Sequence, residues 1–118
     1  MDVKDSWYEG ESIQLGGKIR HIKYTFKGLK LIAKKFGSVA KAFNDMQTMD
    51  TNFTTETMDN LAILLHAGLI HEDPALTIDE TENFLTMGNM TKIFTSIMKA
   101  FNGSTPEPEE GSTDDQGE

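Results

Sequence analysis

One stretch of this sequence, residues 58–70, is apolar on nearly every side when it is drawn as a helix. Its longest apolar run, residues 61–70, is too short to cross a bilayer and is interrupted by His66. A helix that is apolar all round is normally buried, because no face of it suits water. We therefore expect a central helix over about residues 55–71, around which the rest of the chain must pack.

The ends of this central helix also have sequence signals. Thr54 or Thr55 can accept a hydrogen bond from the first free backbone N–H groups, and Pro74 requires the helix to end at or before Asp73. The side chains expected in the core are those of Leu61, Leu64 and Leu65.

The N-terminal part of the chain predicts a β-hairpin over residues 12–26. Gly16 and Gly17 separate two runs that contain apolar residues, and a type I′ turn needs positive φ at both of its central positions. In the second run Ile22, Tyr24 and Phe26 alternate with polar residues. Period two is typical of a half-buried strand, so these three side chains are expected to face the core.

The remaining apolar residues follow helical spacing. Residues 27–46 predict one or two helices, because Gly37 either ends a first helix or only kinks it. Thr77 and Glu80 match a capping box at the start of a helix over residues 78–87, with Gly88 as its end. A last amphipathic helix is expected over residues 89–101, with Asn102 and Gly103 closing it.

These elements predict a mainly α fold with a small N-terminal β-hairpin (α+β). Four to five short helices would pack around the central apolar helix in a single globular domain, residues 12–102. Residues 1–11 are predicted to be a flexible lead. Residues 103–118 contain six acids, no base and no large apolar side chain, so their composition predicts a disordered acidic tail.

Charge is strongly segregated along the chain, whose net charge is −8. No acid occurs between Glu11 and Asp45, whereas no base occurs between Lys41 and Lys92. The two segments could face each other across the fold or form a dipolar surface that orients a partner. The negative net charge argues against nucleic acid as the main partner, because phosphate backbones require a positive surface.

No pattern in the sequence predicts catalysis, a cofactor or a metal site. The chain has no cysteine, which excludes disulfides and thiolate ligands and favours a reducing cytoplasm. His66 and His71 are five residues apart, whereas helical metal ligands are usually three or four apart. The acids near Glu80 are explained by helix capping and the helix dipole. We expect a non-enzymatic interaction protein with no membrane span.

Methionine and phenylalanine recur at helical spacing near the C-terminal end of the predicted domain. Methionine fills irregular cores, but it is also common on adaptable binding surfaces. Because so small a domain has little core to cover this stripe, we take it as a candidate partner-binding surface, although it could instead lie wholly in the core. In that case the edge of the hairpin could bind a partner by strand addition. The candidate residues are Met87, Met90, Phe94, Met98 and Phe101.

The order of these segments is similar to that of a known family. Residues 13–18, Ile-Gln-Leu-Gly-Gly-Lys, lead into Ile-Lys-Tyr-Thr-Phe, and a basic helix over residues 27–37 follows at once. Later come Leu-Leu-His-Ala-Gly-Leu at 64–69, Leu-Thr-Ile-Asp-Glu-Thr-Glu at 76–82 and a Gly-Asn pair before the last helix. Over roughly residues 12–102 this layout resembles the tail assembly chaperones of long-tailed bacteriophages and prophages.

The resemblance implies a function in tail morphogenesis in the host bacterial cytoplasm. Such chaperones coat the long helical tape measure protein, help tail-tube protein polymerise around it, and leave before the virion is complete. A longer form made by ribosomal frameshifting is common, and this chain would be the short form. The family offers no catalytic residues. The alternative is a small acidic regulatory adaptor or inhibitor protein that binds another protein's helix; self-association is possible in either case.

Overall fold

A computed structural model describes residues 10–47 and 54–104 of the chain. It confirms a mainly helical fold with an N-terminal β-hairpin, in which the described residues form five helices and two antiparallel strands. Most of the predicted lead, residues 1–9, and of the predicted acidic tail, residues 105–118, lies outside the described residues. The elements are β1 (Glu11–Leu15), β2 (Lys18–Ile22), α1 (Phe26–Phe36), α2 (Val39–Gln47), α3 (Thr55–Leu69), α4 (Ile78–Glu82) and α5 (Met90–Ser104).

The hairpin turns at Gly16 and Gly17, whose φ angles of 62° and 84° are those of the predicted type I′ turn. The prediction that Phe26 faces the core is wrong, since its side chain is 80% exposed. Strand β2 ends at Ile22, and Thr25 instead caps α1 by accepting a hydrogen bond from the Gly28 N–H at 3.2 Å. The alternation of period two therefore stops before it reaches Phe26, although Tyr24 is buried as predicted.

Gly37 separates α1 from α2 and does not merely kink one longer helix. Its φ is 100°, and its N–H donates to the Ala33 carbonyl at 2.8 Å, as expected at a helix C-terminus. Ser38 then caps α2, because its hydroxyl accepts a hydrogen bond from the Lys41 N–H at 3.0 Å. The two short helices can therefore pack at different angles.

The central position of α3 is confirmed. Thr54 caps the helix by accepting a hydrogen bond from the Thr57 N–H at 3.2 Å. The leucines Leu61, Leu64 and Leu65 each keep at most 1% of their surface exposed. Helices α1, α4 and α5 and strand β2 all pack against α3, so this one helix organises the core.

The later helices differ in length from the predictions. Helix α4 begins with the predicted capping box at Thr77 but ends at Glu82 rather than at residue 87. Its backbone then turns, because Asn89 accepts a hydrogen bond from the Thr86 N–H at 2.8 Å and donates one to the Phe84 carbonyl at 2.8 Å. Helix α5 runs from Met90 to Ser104, so the Asn-Gly pair does not end it at residue 101.

Burial does not account for the extension past residue 101, since Phe101 is 4% exposed within the predicted range whereas Asn102 and Gly103 are exposed. No helix in the described ranges, 10–47 and 54–104, is long and apolar enough to cross a membrane.

Candidate partner-binding groove

The five predicted binding residues do not form one continuous exposed surface. Met87 lies in the turn before α5 and is 73% exposed. Met90 and Phe101 are buried, whereas Phe94 and Met98 are half-buried and pack against the core. Of the five, Met87 alone presents most of its side chain to solvent.

Phe101 belongs to an aromatic cluster that joins three parts of the fold. Its ring meets Tyr24 edge to face with centroids 5.5 Å apart, and it stacks on Phe43 of α2 at 5.2 Å. Edge-to-face and offset-stacked pairs are both favourable arrangements of aromatic rings. Phe101 therefore packs the end of α5 against Tyr24 and against Phe43 of α2. A partner cannot reach its buried side chain without local unfolding.

Met87 and Met90 instead line a groove with residues from α3. The groove lies between the first two turns of α3, the segment after α4 and the start of α5, and its volume is about 380 Å³. We call it the methionine groove. Its lining residues are Thr55, Met58, Asp59, Leu61, Glu82, Leu85, Thr86, Met87 and Met90.

The methionine groove has an apolar base and a polar edge. Leu61 and Met90 are buried below it, while Met58 and Met87 are 43% and 73% exposed at its sides. Asp59 and Glu82 provide carboxylates at the edge, and none of the described residues that line the groove is basic. The arrangement can accept apolar side chains next to a positively charged group.

Met87 and Met90 belong to the candidate site that the sequence predicts, whereas Met58 and Leu85 do not. Met58 is nearly thirty residues before Met87, and a spacing rule along one helix cannot connect the two. No sequence pattern singles out Met58, which the structure shows near the start of α3 with 43% of its side chain exposed. Only the position of the segment after α4 brings Leu85 and Met87 opposite that face.

The three histidines make structural hydrogen bonds. His66 Nε2 lies 2.8 Å from the Leu76 carbonyl oxygen, and His71 Nε2 lies 2.7 Å from the His21 carbonyl oxygen. Within residues 10–47 and 54–104, no three His, Asp or Glu side chains are grouped so that they could hold a metal ion.

Glu72 pairs with His21 where the hairpin packs against the end of α3. The His21 N–H donates to Oε1 at 2.9 Å, and His21 Nδ1 lies 2.6 Å from Oε2. Partial burial alone would raise the pKa of Glu72. The two His21 hydrogen bonds, with the electrostatic effect of His21 and His71, outweigh burial and hold this pKa below its ordinary value of 4.5.

Arg20 connects the basic and acidic segments of the chain. It is buried, with Nη1 3.3 Å from Asp73 Oδ2 and Nε donating to the Leu15 carbonyl at 3.3 Å. Its guanidinium lies 4.6 Å from the centre of the Phe84 ring, within cation–π range. The segregated charges therefore face each other at this point of the fold, and Arg20 has a structural function.

No protein-family model, curated protein or solved structure matches the chain.

Proposed function

We propose that this protein is a phage tail assembly chaperone that binds and solubilises apolar helical segments of a tape measure protein and assists tail-tube polymerisation. The observation that carries the proposal is the methionine groove, where Met58 and Met87 remain exposed over a buried apolar base. The resemblance in segment order described above supports the same function. The proposed function is non-enzymatic and belongs to the host bacterial cytoplasm rather than to the mature virion.

A groove of this kind suits an amphipathic helix. Helix-in-groove recognition places apolar side chains at positions i, i+3 or i+4 and i+7 into a hydrophobic groove. Methionine side chains are flexible and polarisable, so one groove can accept several different apolar sequences. A chaperone for a long helical protein needs this tolerance, because it must bind many segments along the same client.

The acidic edge of the groove favours client helices that carry basic residues. Asp59 and Glu82 stand beside the exposed methionines, so Lys or Arg next to the apolar positions of a client helix would be attracted, and acids there would be repelled. The proposed client segment is thus an apolar helical stripe flanked by basic residues.

Co-expression tests the function. The chain is produced with the tape measure protein encoded in the same gene cluster, and we expect the two to co-purify and the tape measure protein to stay in solution. Replacing both Met58→Ser and Met87→Ser should weaken binding by about five- to thirtyfold per side chain, the equivalent of 1–2 kcal/mol each. The matched control is Ile19→Ser, which removes another exposed apolar side chain, 65% exposed on β2.

The outcomes separate two questions, namely whether the protein is a chaperone and whether the methionine groove is its binding site. If the tape measure protein never co-purifies and is equally soluble without this chain, the chaperone function is wrong. If it binds and the double methionine variant binds as well as wild type, the function stands but the methionine groove is not the site. Binding of a helix from an unrelated protein in place of the tape measure protein would favour a small adaptor or inhibitor.

A further inference from the structure

The outer side of α1 is an apolar helical stripe flanked by lysines. Phe26 is 80% exposed and Leu31 is half-buried, and the same surface carries Lys27, Lys30 and Lys34. These residues recur at spacings of three and four, which places them on one side of the helix. The opposite side of α1 packs against α2 and α3. We call the exposed side the α1 face.

The α1 face has the features that the methionine groove favours in a client helix. The groove exposes Met58 and Met87 over an apolar base, with Asp59 and Glu82 at its edge. Lysines therefore meet carboxylates, and the ring of Phe26 meets methionine sulfur, which is a favourable contact. Of the four large apolar side chains that are exposed among the described residues, three belong to these two surfaces.

The two surfaces of one copy lie too far apart to meet each other. Helix α1 approaches α3 near the C-terminal end of α3, where a Cβ atom added at Gly28 would lie 2.6 Å from the Ala67 carbonyl oxygen. The methionine groove is at the other end of α3, beside Met58. These two positions of α3 are nine residues apart, or about 14 Å along the helix axis. Only another molecule can fill the groove with this stripe.

We propose that the α1 face of one copy docks into the methionine groove of a second copy. In this arrangement Phe26 covers the exposed methionines, and Lys27 and Lys30 lie beside the two carboxylates at the edge of the groove. Because the two surfaces differ, the contact is head-to-tail, and its repetition produces either a closed ring or an open chain of copies. The proposal rests on the methionine groove of the proposed function but not on the identity of the client, with which a docked copy would compete.

A second copy suits these surfaces better than other occupants do. An anionic membrane or an acidic partner helix could cover the α1 face, but it would leave Met58 and Met87 exposed, whereas self-association covers both surfaces. The net charge of −8 opposes the approach of two copies only weakly. At about 0.1 M salt, charges more than about 10 Å apart are largely screened, so the opposite charges that meet at the contact have the larger effect.

Charge reversal with rescue tests the contact in the full chain. The α1 variant is Lys27→Glu with Lys30→Glu, and the groove variant is Asp59→Lys with Glu82→Lys. Each should weaken self-association at least about tenfold, which corresponds to about 1.4 kcal/mol. An equimolar mixture of the two variants should associate again, because the acidic α1 face of one then meets the basic groove of the other. Sedimentation velocity over a range of concentrations measures the average mass.

Controls separate this contact from general effects of charge and apolar surface. Lys18→Glu with Lys35→Glu makes the same change of charge as the α1 variant but outside the α1 face, and it should associate like wild type. The groove variant reduces the net negative charge, so simple repulsion between copies predicts more association, whereas the proposed contact predicts less. Phe26→Ser should also weaken association, and Ile19→Ser, at a 65% exposed position of β2, should not. Circular dichroism verifies that each variant folds.

The proposal is overturned if the wild-type chain stays monomeric at every concentration, or if the mixture associates no more than either variant alone. Association that Ile19→Ser abolishes and Phe26→Ser leaves intact would place the contact on the hairpin and also overturn it. Binding of anionic vesicles by a monomeric wild type, but not by the α1 variant, would assign the α1 face to a membrane instead.

The chaperone function is tested separately by the α1 variant. Its methionine groove is unchanged, so it should still co-purify with the tape measure protein if the proposed function is correct. Self-association without any binding of the tape measure protein would contradict the chaperone function alone. Binding of the tape measure protein by a chain that never self-associates would contradict the head-to-tail contact alone.

Discussion

Leu65 shows how closely stability depends on single side chains in a core this small. It has no exposed surface and lies on the face of α3 that the other elements cover. Removing its branched side chain loses apolar burial and leaves a cavity, so Leu65→Ala should reduce the free energy of unfolding by roughly 2–5 kcal/mol. Urea unfolding measures the change, and Ile63→Ala, at a half-buried position of the same helix, should cost less. A loss under about 0.5 kcal/mol for Leu65→Ala would contradict the central position of α3.

Glu72 makes stability depend on pH. Because its pKa is lowered in the folded protein, its carboxylate stabilises the fold above the ordinary pKa of 4.5, and this contribution is lost as the pH falls through the lowered value. We expect Glu72→Gln to be less stable than wild type at neutral pH and the difference to shrink below pH 4.5. Denaturant unfolding across pH measures this, with Glu82→Gln on α4 as the control. A difference that grows toward low pH would contradict the pairing with His21.

At the scale of elements, the approach of α1 to α3 depends on a glycine. A Cβ atom added at Gly28 would lie 2.6 Å from the Ala67 carbonyl oxygen, which is backbone and cannot rotate away. Gly28→Ala should therefore push the two helices apart and cost about 1–3 kcal/mol, as overpacking usually does. Gly88→Ala is the matched control, because its nearest neighbour would be Thr86 Oγ1 at 3.8 Å. Thermal unfolding compares them, and equal melting temperatures would show that the helices are not in close contact at Gly28.

Across the whole molecule, the basic and acidic segments meet through specific pairs. Arg20 and Asp73 lie 53 positions apart in sequence, yet their side chains are 3.3 Å apart. A double-mutant cycle with Arg20→Gln and Asp73→Asn should give a coupling free energy of about 0.5–3 kcal/mol, the usual range for residues in contact. Equilibrium unfolding of the wild type and the three variants supplies the four values. If the losses of unfolding free energy in the two single variants simply add in the double variant, Arg20 and Asp73 do not interact.

The same packing that creates these pairs also creates the methionine groove. The groove exists because α4 ends at Glu82. The segment after α4 then lies beside the N-terminal end of α3, so that Met58 and Met87 both line the groove. A helix continued to residue 87, as the sequence predicts, would place that methionine elsewhere. The candidate site is therefore a property of the whole fold: of its two exposed methionines, the sequence pattern predicted Met87 as a binding residue but not Met58.

Features whose two partners lie within a few residues were determined by the sequence itself. The Gly-Gly turn requires positive φ at two adjacent positions, and Thr54, Ser38 and Thr77 each accept a hydrogen bond from an N–H three residues later. Such contacts need no distant element. The central helix was equally predictable, because a segment that is apolar on all sides has no stable place except the interior.

Only the tertiary structure decided which apolar side chains are buried, because burial depends on segments that are distant in the sequence. Phe26 follows the strand pattern but is exposed, because β2 ends at Ile22 and Phe26 is the first residue of α1, on the side that faces away from the core. Met90, Phe94, Met98 and Phe101 lie on one apolar stripe in the sequence, yet Met90 and Phe101 are buried whereas Phe94 and Met98 are half-buried. Periodicity identifies the apolar side of an element, whereas only the packed arrangement determines how much of that side the neighbouring elements cover.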